Sequence, residues 1–520
     1  MSSLPRWNNK NLAGHLSLPN VQRFSFQNFS FWFQAASDVR KQKTVARSFH
    51  FRLSNFCASH FLREDVRQNE VASAITRSRH FWLDFAKEFG SFDKVVAQNP
   101  LRDCIPGALS DRQMKRLFSR RLITGVQNDQ ERIDYSSVDL TLADEGYEMR
   151  SGSVKPFGSH DEGPYGVHVL GDRQFAKPIT GVGGIYSLDP RKTYVFRLEQ
   201  KLDASRLRKQ RIFGQATAKS SVGRVDVLAR LIVDGMNSYE EFDPDGLEHS
   251  NGDLFLEITS MTFNVRVKVG HPLNQLRLFY GEPHRAEIRG SELYNNVLNP
   301  GEPGKMDGSL SVDLEPVPTG GIDASAFCAR KQTKTSSNCI DLWKDDCVDP
   351  LDFWNIELAK MGEQSGLRTL KIQKNAFYIL RSREKIRLPK NVAVYCRAID
   401  ETIGEMRIHY AGFVHPFFGE NRRDRKLGTP LIFEVRGHDV NVALTHGERM
   451  ARLTFYRMSE DCRINRKRKS RKKHGAKSNK KNQYNEQELK LSGFFRSWPR
   501  RLTRNRKGKL VKAKPRKRRK

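Results

Sequence analysis

The sequence has few cysteines and lacks the arrangements that would give them a structural role. Its seven cysteines are an odd number, are scattered from Cys57 to Cys462, and include no C-x-x-C pair. This spacing argues against a secreted disulfide framework and favours reduced thiols in a cytoplasm. The zinc patterns H-E-x-x-H and H-x-E with P-C-x-x-C are both absent, so we expect no zinc site.

Long apolar runs and nucleotide-binding glycine loops are also missing. No apolar run approaches the roughly 18 residues that a membrane-spanning helix needs, so we expect no membrane partner. The glycine-rich stretch 181–184 lacks the G-x-x-x-x-G-K-[ST] pattern, and we interpret it as a turn. The first 37 residues have no acidic side chain but show no amphipathic arginine stripe, so we predict a cytoplasmic protein.

The net charge of +32 is distributed unevenly. Residues 461–520 carry +23 and residues 1–100 carry +7, which leaves only +2 for residues 101–460. Dense like charge prevents compact packing, so we predict that 461–520 is disordered and can contact nucleic acid nonspecifically. The near-neutral central body is therefore the place to look for chemistry.

The central body begins with a helix signal and continues with strand signals. Ser110 and Gln113 form a capping-box pattern before an apolar face that starts at Met114. From Ile133 onward, short segments rich in β-branched and aromatic residues alternate with Gly, Pro and Asp clusters. This pattern predicts a mainly β fold with a few short helices.

Three β-type segments recur in the same order. Residues 194–198, 254–258 and 276–280 are echoed at offsets of 184, 177 and 176. Near-constant spacing of this kind indicates an internal duplication. We therefore predict two tandem copies of one mainly β domain.

Two short elements carry the candidate chemistry. The turn from Lys219 to Arg224 places a lysine, the two hydroxyls of Ser220 and Ser221, and an arginine together, which suits a polyanionic nucleotide. Glu257 stands in the apolar run Leu254–Ile258, where a buried carboxylate could act as a general base. A solvated surface turn and an edge-strand glutamate facing water are the alternatives.

These residues resemble those of the dCTP deaminases, metal-independent relatives of the trimeric dUTPases. The resemblance covers residues 105–498, in the long duplicated bacterial form of the family. The first copy carries it through the stretches 107–112, Ser137–Leu140, Lys219–Arg224 and Leu256–Glu257. The second copy carries it through 349–354 and 404–413, and the closing segment through Tyr484–Gln487.

The resemblance implies a fold, an activity and an assembly. The fold would be two tandem dUTPase-like distorted β-barrel or jelly-roll domains. The activity would be hydrolysis of dCTP to dUTP and ammonia, which supplies dUTP for thymidylate synthesis, with Mg²⁺ carried by the triphosphate and no zinc. A homo-oligomer of the trimer type is also implied.

The resemblance also assigns roles to individual residues. Glu257 would deprotonate the attacking water, while Arg224 and Ser221 would position that water and the phosphates. Phe255 and Leu256 would present backbone groups to the base. The remaining substrate-binding residues would be Lys219, Ser220, Asp243, Tyr484 and Gln487.

The second copy departs from the family pattern. Glu405 stands at the position that corresponds to Arg224, which reverses the charge. His415 stands where relatives commonly have aspartate. The second copy is therefore predicted to have a degenerate site that is either structural or lends groups to a shared interface.

The predicted domain organisation has five parts. They are an extension of unknown role at 1–100, a domain with the deaminase motifs at 101–300, a linker at 301–349, a second domain at 350–460 and the basic segment 461–520.

Three other functions stay open. They are a dUTP pyrophosphatase, a bifunctional deaminase–diphosphatase, and a nucleic-acid-binding protein on a retired enzyme scaffold.

Overall fold

The structure is a computed structural model. It describes residues 105–125, 132–158, 164–298, 307–332, 338–399, 406–408, 412–420, 428–463, 488–505 and 510–513. The predicted extension 1–100 and the segment that contains Tyr484 and Gln487 lie outside these residues. No helix in the described part of the chain is long and apolar enough to cross a membrane.

The helices are short, as the sequence predicts. In α1 the hydroxyl of Ser110 accepts a hydrogen bond from the backbone N–H of Gln113, whose side chain accepts one from the Ser110 N–H, so the predicted capping box is confirmed. The described helices are α1 (Asp111–Ser119), α2 (Tyr165–His168), α3 (Ala204–Lys209), α4 (Ser220–Gly223), α5 (Ser291–Val297) and α6 (Pro350–Phe353), with 3-10 turns at Gly246–His249 and Pro283–Ala286.

The first domain is built on a large antiparallel sheet. Its strands are β1 (Gly107–Ala108), β2 (Ile123–Thr124), β3 (Val138–Met149), β4 (Ala176–Ile179), β5 (Ile185–Leu188), β6 (Thr193–Leu202), β7 (Ile212–Ala218), β8 (Val227–Val233), β9 (Glu241–Phe242), β10 (Asp253–Ser260), β11 (Val265–Lys268) and β12 (Pro272–Tyr280). The main order is β8-β10-β6-β3-β12-β7-β9.

The second domain repeats this arrangement. Its strands are β13 (Glu287–Ile288), β14 (Ser309–Asp313), β15 (Val317–Thr319), β16 (Ile322–Ala324), β17 (Ala326–Ala329), β18 (Ile340–Asp341), β19 (Trp354–Glu357), β20 (Lys360–Met361), β21 (Arg368–Ile372), β22 (Phe377–Ile386), β23 (Val392–Ala398), β24 (Met406–Ile408), β25 (Gly412–Val414), β26 (Thr429–Gly437), β27 (Val442–Thr445) and β28 (Arg449–Arg457). The path β26-β22-β14-β28-β23 matches β10-β6-β3-β12-β7, so the predicted duplication is confirmed.

The structure corrects the prediction that residues 301–349 form a linker. Strand β14 pairs with both β22 and β28, and β17 pairs with β19 and β22, so this range supplies central strands of the second sheet. Its many Gly, Pro and Asp residues occupy the tight turns between short strands. Composition alone therefore suggested a linker because the strands are only two to five residues long.

The range 461–520, which was predicted to be a disordered tail, includes a segment that packs against the core. Residues 488–505 pack against the core with Phe494, Phe495 and Leu502 buried. A hairpin of β29 (Leu502–Arg504) and β30 (Leu510–Lys512) follows. We call residues 488–495 the closing strap, because they run from the second domain to the turn before β8.

The two domains share their core. Strand β18 pairs in parallel with β11, which adds a second-domain segment to a first-domain sheet. Phe263 of the first domain makes edge-on contacts, with ring centroids 5.5 Å apart, to Phe353 and to Trp354. Such aromatic pairs contribute about 0.5–1.5 kcal/mol each beyond their buried area. The domains therefore share one hydrophobic core cluster at their interface.

Candidate active site

The turn from Lys219 to Arg224 connects β7 to β8 through the single helical turn α4. Lys219 forms an ion pair of 2.5 Å with Asp139, so the lysine of this turn is tied to the Ser137–Leu140 strand. Ser220 and Ser221 are partly exposed, and their hydroxyls make no hydrogen bond with any described residue. Both hydroxyls are therefore available to a ligand at the surface of the turn.

Arg224 points into the second domain. Its side chain is nearly buried, and its Nε lies 3.8 Å from Oε1 of Glu434. Two residues further along each segment, Asp226 forms an ion pair with Arg436. The stretches 224–226 and 434–436 thus face each other with opposite charges at both ends.

Glu434 occupies the position on β26 that corresponds to Glu257 on β10. Strand β26 lies between β22 and β24, so Glu434 is held on a rigid central strand. Burial raises the pKa of its carboxyl to about 7, although the nearby Arg224 charge opposes the rise. Burial and the nearby charge of Glu434 together raise the pKa of the Cys396 thiol to about 12. A carboxyl in this state can accept and release a proton near neutrality.

Glu257 has a different set of partners. It is 1% exposed on a central strand, so the edge-strand alternative is wrong. Its carboxylate forms an ion pair with Arg230, and the Tyr239 hydroxyl donates a 3.0 Å hydrogen bond to its Oε2. Arg230 in turn stacks on Tyr239, with its guanidinium carbon 4.1 Å from the ring centroid.

The structure does not bring Glu257 and Arg224 together. Glu257 stands opposite Arg230 in the ladder, and Val227 at the start of β8 stands opposite Ser260. Three residues of strand separate these positions by roughly 10 Å. Arg224 precedes Val227, so it lies further away still, and its carboxylate neighbour is the one from the duplicated domain.

The other predicted substrate-binding residues are distributed as follows. Phe255 and Leu256 are buried, and their strand is paired on both sides, so their backbone groups belong to the sheet. Asp243 is exposed and its Oδ1 accepts a hydrogen bond of 2.7 Å from the N–H of Gly246, which makes it a turn cap. Its role as a substrate-binding residue stays a prediction.

The closing strap supplies residues that the sequence analysis missed. The hydroxyl of Ser492 donates a 2.8 Å hydrogen bond to the backbone oxygen of Ser221, which fixes the strap to the turn. Lys490 is half buried nearby, and both burial and the charge of Arg224 lower its pKa. Many lysines and arginines follow residue 463, and the sequence alone does not separate Lys490 from them. Only its position in the fold, close to Arg224, does so.

Comparison with known proteins assigns the family. The model of the 2'-deoxycytidine 5'-triphosphate deaminase N-terminal domain matches residues 105–282, and the model of the C-terminal domain matches residues 291–495. Together the two models cover more than half of the chain. The chain belongs to the dCTP deaminase family. A sequence search of curated proteins found no match.

A solved structure agrees with this assignment. The chain is similar to the crystal structure of 2'-deoxycytidine 5'-triphosphate deaminase from Agrobacterium tumefaciens, with 27% identity and a TM-score of 0.58. The match covers 69% of this chain and 97% of the other. The predicted family and the predicted fold of two tandem, mainly β domains are therefore confirmed, and none of these matches points to the alternative functions.

Around the Arg224–Glu434 contact, the serine turn presents two hydroxyls and the closing strap presents Lys490. Of the two interpretations of the second copy, the structure favours the one in which it lends groups to a shared interface.

Proposed function

We propose that this protein hydrolyses dCTP to dUTP and ammonia at the interface between its two domains. The observation that carries the proposal is the pairing of Arg224 with Glu434, across the domain interface and directly after the serine turn. A carboxyl whose pKa is about 7 can take a proton from water at neutral pH. The two domains together would then form one site.

The reaction needs a water molecule and no redox partner. Glu434 would remove a proton from the water as its oxygen adds to C4 of cytosine. Glu434 would deliver this proton to N3, where it stays in the uracil ring. Glu434 would then take the proton of the new C4 hydroxyl and pass it to the amine, which leaves as ammonia while C4=O forms. Arg224 is close enough to Glu434 to stabilise its ionised form between these steps.

The triphosphate would lie along the turn and the strap. Ser220 and Ser221 would donate hydrogen bonds, and Lys219 and Lys490 would supply positive charge. We expect Mg²⁺ to arrive bound to the triphosphate, since this ion keeps most of its waters. Tyr484 and Gln487 stay predicted contacts of the substrate. A trimer-type homo-oligomer stays a prediction, as does nonspecific contact of the basic tail with nucleic acid.

The location of the protein is part of the proposal. Five described cysteines, Cys328, Cys339, Cys347, Cys396 and Cys462, are free thiols. Free thiols persist in a reducing compartment, which supports the cytoplasm.

The direct test is to incubate the protein with dCTP and Mg²⁺ and to measure ammonia, dUTP and pyrophosphate. We expect equal amounts of ammonia and dUTP without pyrophosphate. Release of pyrophosphate with dUMP would indicate a bifunctional enzyme. Tight, salt-sensitive DNA binding without any nucleotide turnover would refute the proposal and favour the retired-enzyme alternative.

A paired substitution tests which glutamate is the base. Glu434→Gln keeps the size of the side chain but removes the proton acceptor, and Glu257→Gln makes the same change at the position predicted from the sequence. We expect ammonia release to be lost only in the Glu434 variant. The opposite result would return the role to Glu257.

A further inference from the structure

Arg230 fills the mouth of a first-domain pocket that has Glu257 at its floor. The Glu257 side chain is 1% exposed and the Arg230 side chain is 35% exposed, so the arginine lies between solvent and the buried carboxylate. Strand pairing sets the two residues directly opposite each other on β10 and β8. Both Nε, at 3.1 Å, and Nη2 of Arg230 donate to Oε1 of Glu257. The guanidinium therefore meets the carboxylate along one of its edges.

The other groups of the pocket suit a flat cation. The ring centroid of Tyr239 lies 4.1 Å from the guanidinium carbon, a distance at which an aromatic face attracts a planar cation. The Tyr239 hydroxyl lies 3.0 Å from Oε2 of Glu257, which leaves Oε1 to the arginine. Nη2 also donates a 3.3 Å hydrogen bond to the hydroxyl of Ser153. We call Glu257, Tyr239 and Ser153 the guanidinium cage.

The cage is supported by packing of its own. It lies against a small apolar cluster of the first domain that is separate from the core shared by the two domains. This cluster contains Tyr165 and Phe255, whose ring centroids lie 5.8 Å apart. The backbone oxygen of Val154 lies 3.3 Å from the hydroxyls of both Tyr165 and Tyr239. Because Glu257 stands on a central strand and the rings are packed, we expect the cage to keep its shape without Arg230.

The duplicated domain shows what a carboxylate at this position can bind. Glu434 stands at the position equivalent to Glu257, and the proposed function places cytosine beside it. A cytosine protonated at N3 presents two N–H donors along one edge, from N3 and from the amine on C4. The guanidinium of Arg230 presents the same arrangement through Nε and Nη2, which suits a carboxylate. In the first copy, the arginine thus takes the place that this edge of the base would take.

We propose that the guanidinium cage is a binding site for planar guanidinium and amidinium groups, that Arg230 is its built-in occupant, and that Arg230 keeps a second nucleotide out of the first domain. The guanidinium site follows from the cage alone, whereas the comparison with cytosine rests on the proposed function. Each chain then binds one nucleotide, at the interface between its domains. Of the two carboxylates that the duplication placed in equivalent positions, one is occupied by the protein itself.

Chemical rescue of Arg230→Ala tests the site. The substitution opens a path from solvent to Glu257, and free guanidinium has the size and shape of the group that is removed. We expect about 10 mM guanidinium chloride to raise the melting temperature of Arg230→Ala by about 2 °C or more relative to the same concentration of NaCl. The wild type should show no rise. Adding Glu257→Gln to Arg230→Ala should abolish the rise, because the carboxylate is then absent.

Arg208→Ala is the matched control. Arg208 pairs with Glu248 at 2.6 Å on the surface, where the two side chains are 42% and 47% exposed, so its removal opens no path to a buried carboxylate. No rise in Arg230→Ala, or an equal rise in Arg208→Ala, would overturn the site. If Arg230→Ala does not fold in buffer, its refolding is compared in guanidinium and in urea, which has the same shape without the charge. Recovery in guanidinium alone would support the cage, and any other outcome would reject it.

Equilibrium dialysis with deoxycytidine tests the exclusion of a second nucleotide. In the Glu434→Gln background, where turnover does not interfere, we expect Arg230→Ala to bind one more equivalent of deoxycytidine than its parent. Adding Glu257→Gln should remove this extra equivalent. Equal binding by Arg230→Ala and its parent would show that Arg230 excludes no nucleoside. Failure of the wild-type protein to deaminate dCTP would count against the proposed function alone, because guanidinium rescue does not depend on turnover.

Discussion

Asp226 and Arg436 form an ion pair between the two domains with both side chains almost fully excluded from water. Arg436 also donates a 3.0 Å hydrogen bond to the hydroxyl of Thr262, which itself donates to Asp226. This closed triangle lies two residues from the Arg224–Glu434 contact on each chain segment. It therefore holds the two halves of the proposed site in register.

Breaking this pair should destabilise the protein strongly. Arg436→Gln leaves the Asp226 carboxylate buried without its cation, and loss of one partner of a buried pair costs about 3–5 kcal/mol. Urea unfolding should show a decrease of this order. The exposed pair Lys390–Asp461 is the control, since Lys390→Gln should change the free energy of unfolding by less than about 1 kcal/mol.

Replacing Glu434 by Gln should lower kcat for dCTP deamination by about 10²–10⁴-fold, the range typical of a lost general base. Dissociation constants for dCTP should change much less, because the amide keeps the volume of the carboxyl. Retained turnover in Glu434→Gln would rule out Glu434 as the base.

The pH dependence of stability should also report on Glu434. Burial raises its pKa to about 7 in the folded state, whereas the unfolded carboxyl has the ordinary glutamate pKa of 4.5. The folded state holds the proton more tightly, so this contribution is complete below about pH 4.5 and is lost as the pH rises through 7. We expect wild type to lose about 2–3 kcal/mol relative to Glu434→Gln over this range, and parallel curves would contradict the shift.

Deaminase activity should rise with pH through the same titration. The base must be ionised to accept a proton from water, so kcat/KM should increase about tenfold per pH unit below about pH 7 and level off above it. Stopped assays for ammonia between pH 5 and 9 measure this profile. A flat profile would show that the essential base titrates outside the range.

Glu257→Gln should affect stability rather than catalysis. The change removes the ion pair with Arg230, whose side chain is 35% exposed, so the loss should be only about 1–3 kcal/mol. We expect kcat within about twofold of wild type. Thermal unfolding and the ammonia assay on the same preparation separate the two effects.

Lys490→Gln should weaken recognition of the triphosphate. Lys490 lies close enough to Arg224 for that charge to lower its pKa, so an anion between them would relieve the repulsion. The KM for dCTP should rise about tenfold with little change in kcat. Lys512→Gln, which alters the surface pair with Asp349, provides the control in the same C-terminal region.

Local signals in the sequence predicted local structure well. The Ser110–Gln113 capping box depends on four neighbouring residues, and the duplication depends on segments that keep their own order. The Lys219–Arg224 turn was likewise recognisable, because its chemistry is contained in six residues. These features do not require knowledge of how distant parts of the chain meet.

Local signals in the sequence do not identify Glu434 as the partner of Arg224, because the two residues are far apart in the chain. Glu257 and Glu434 stand in similar apolar runs, and the difference between them arises from which strand faces the serine turn across the domain interface. Strand β18 and the closing strap were missed for the same reason, since short segments gain their role only from pairing with remote strands. The composition of these ranges therefore predicted a linker at 301–349 and a disordered tail at 461–520.

The pairing of Arg224 and Glu434 has a consequence for how the site responds to dilution. Both groups lie on one polypeptide, so their proximity does not depend on encounters between molecules. This contact should persist at picomolar protein. A chain defective in one half could not be rescued through this contact by mixing it with a chain defective in the other.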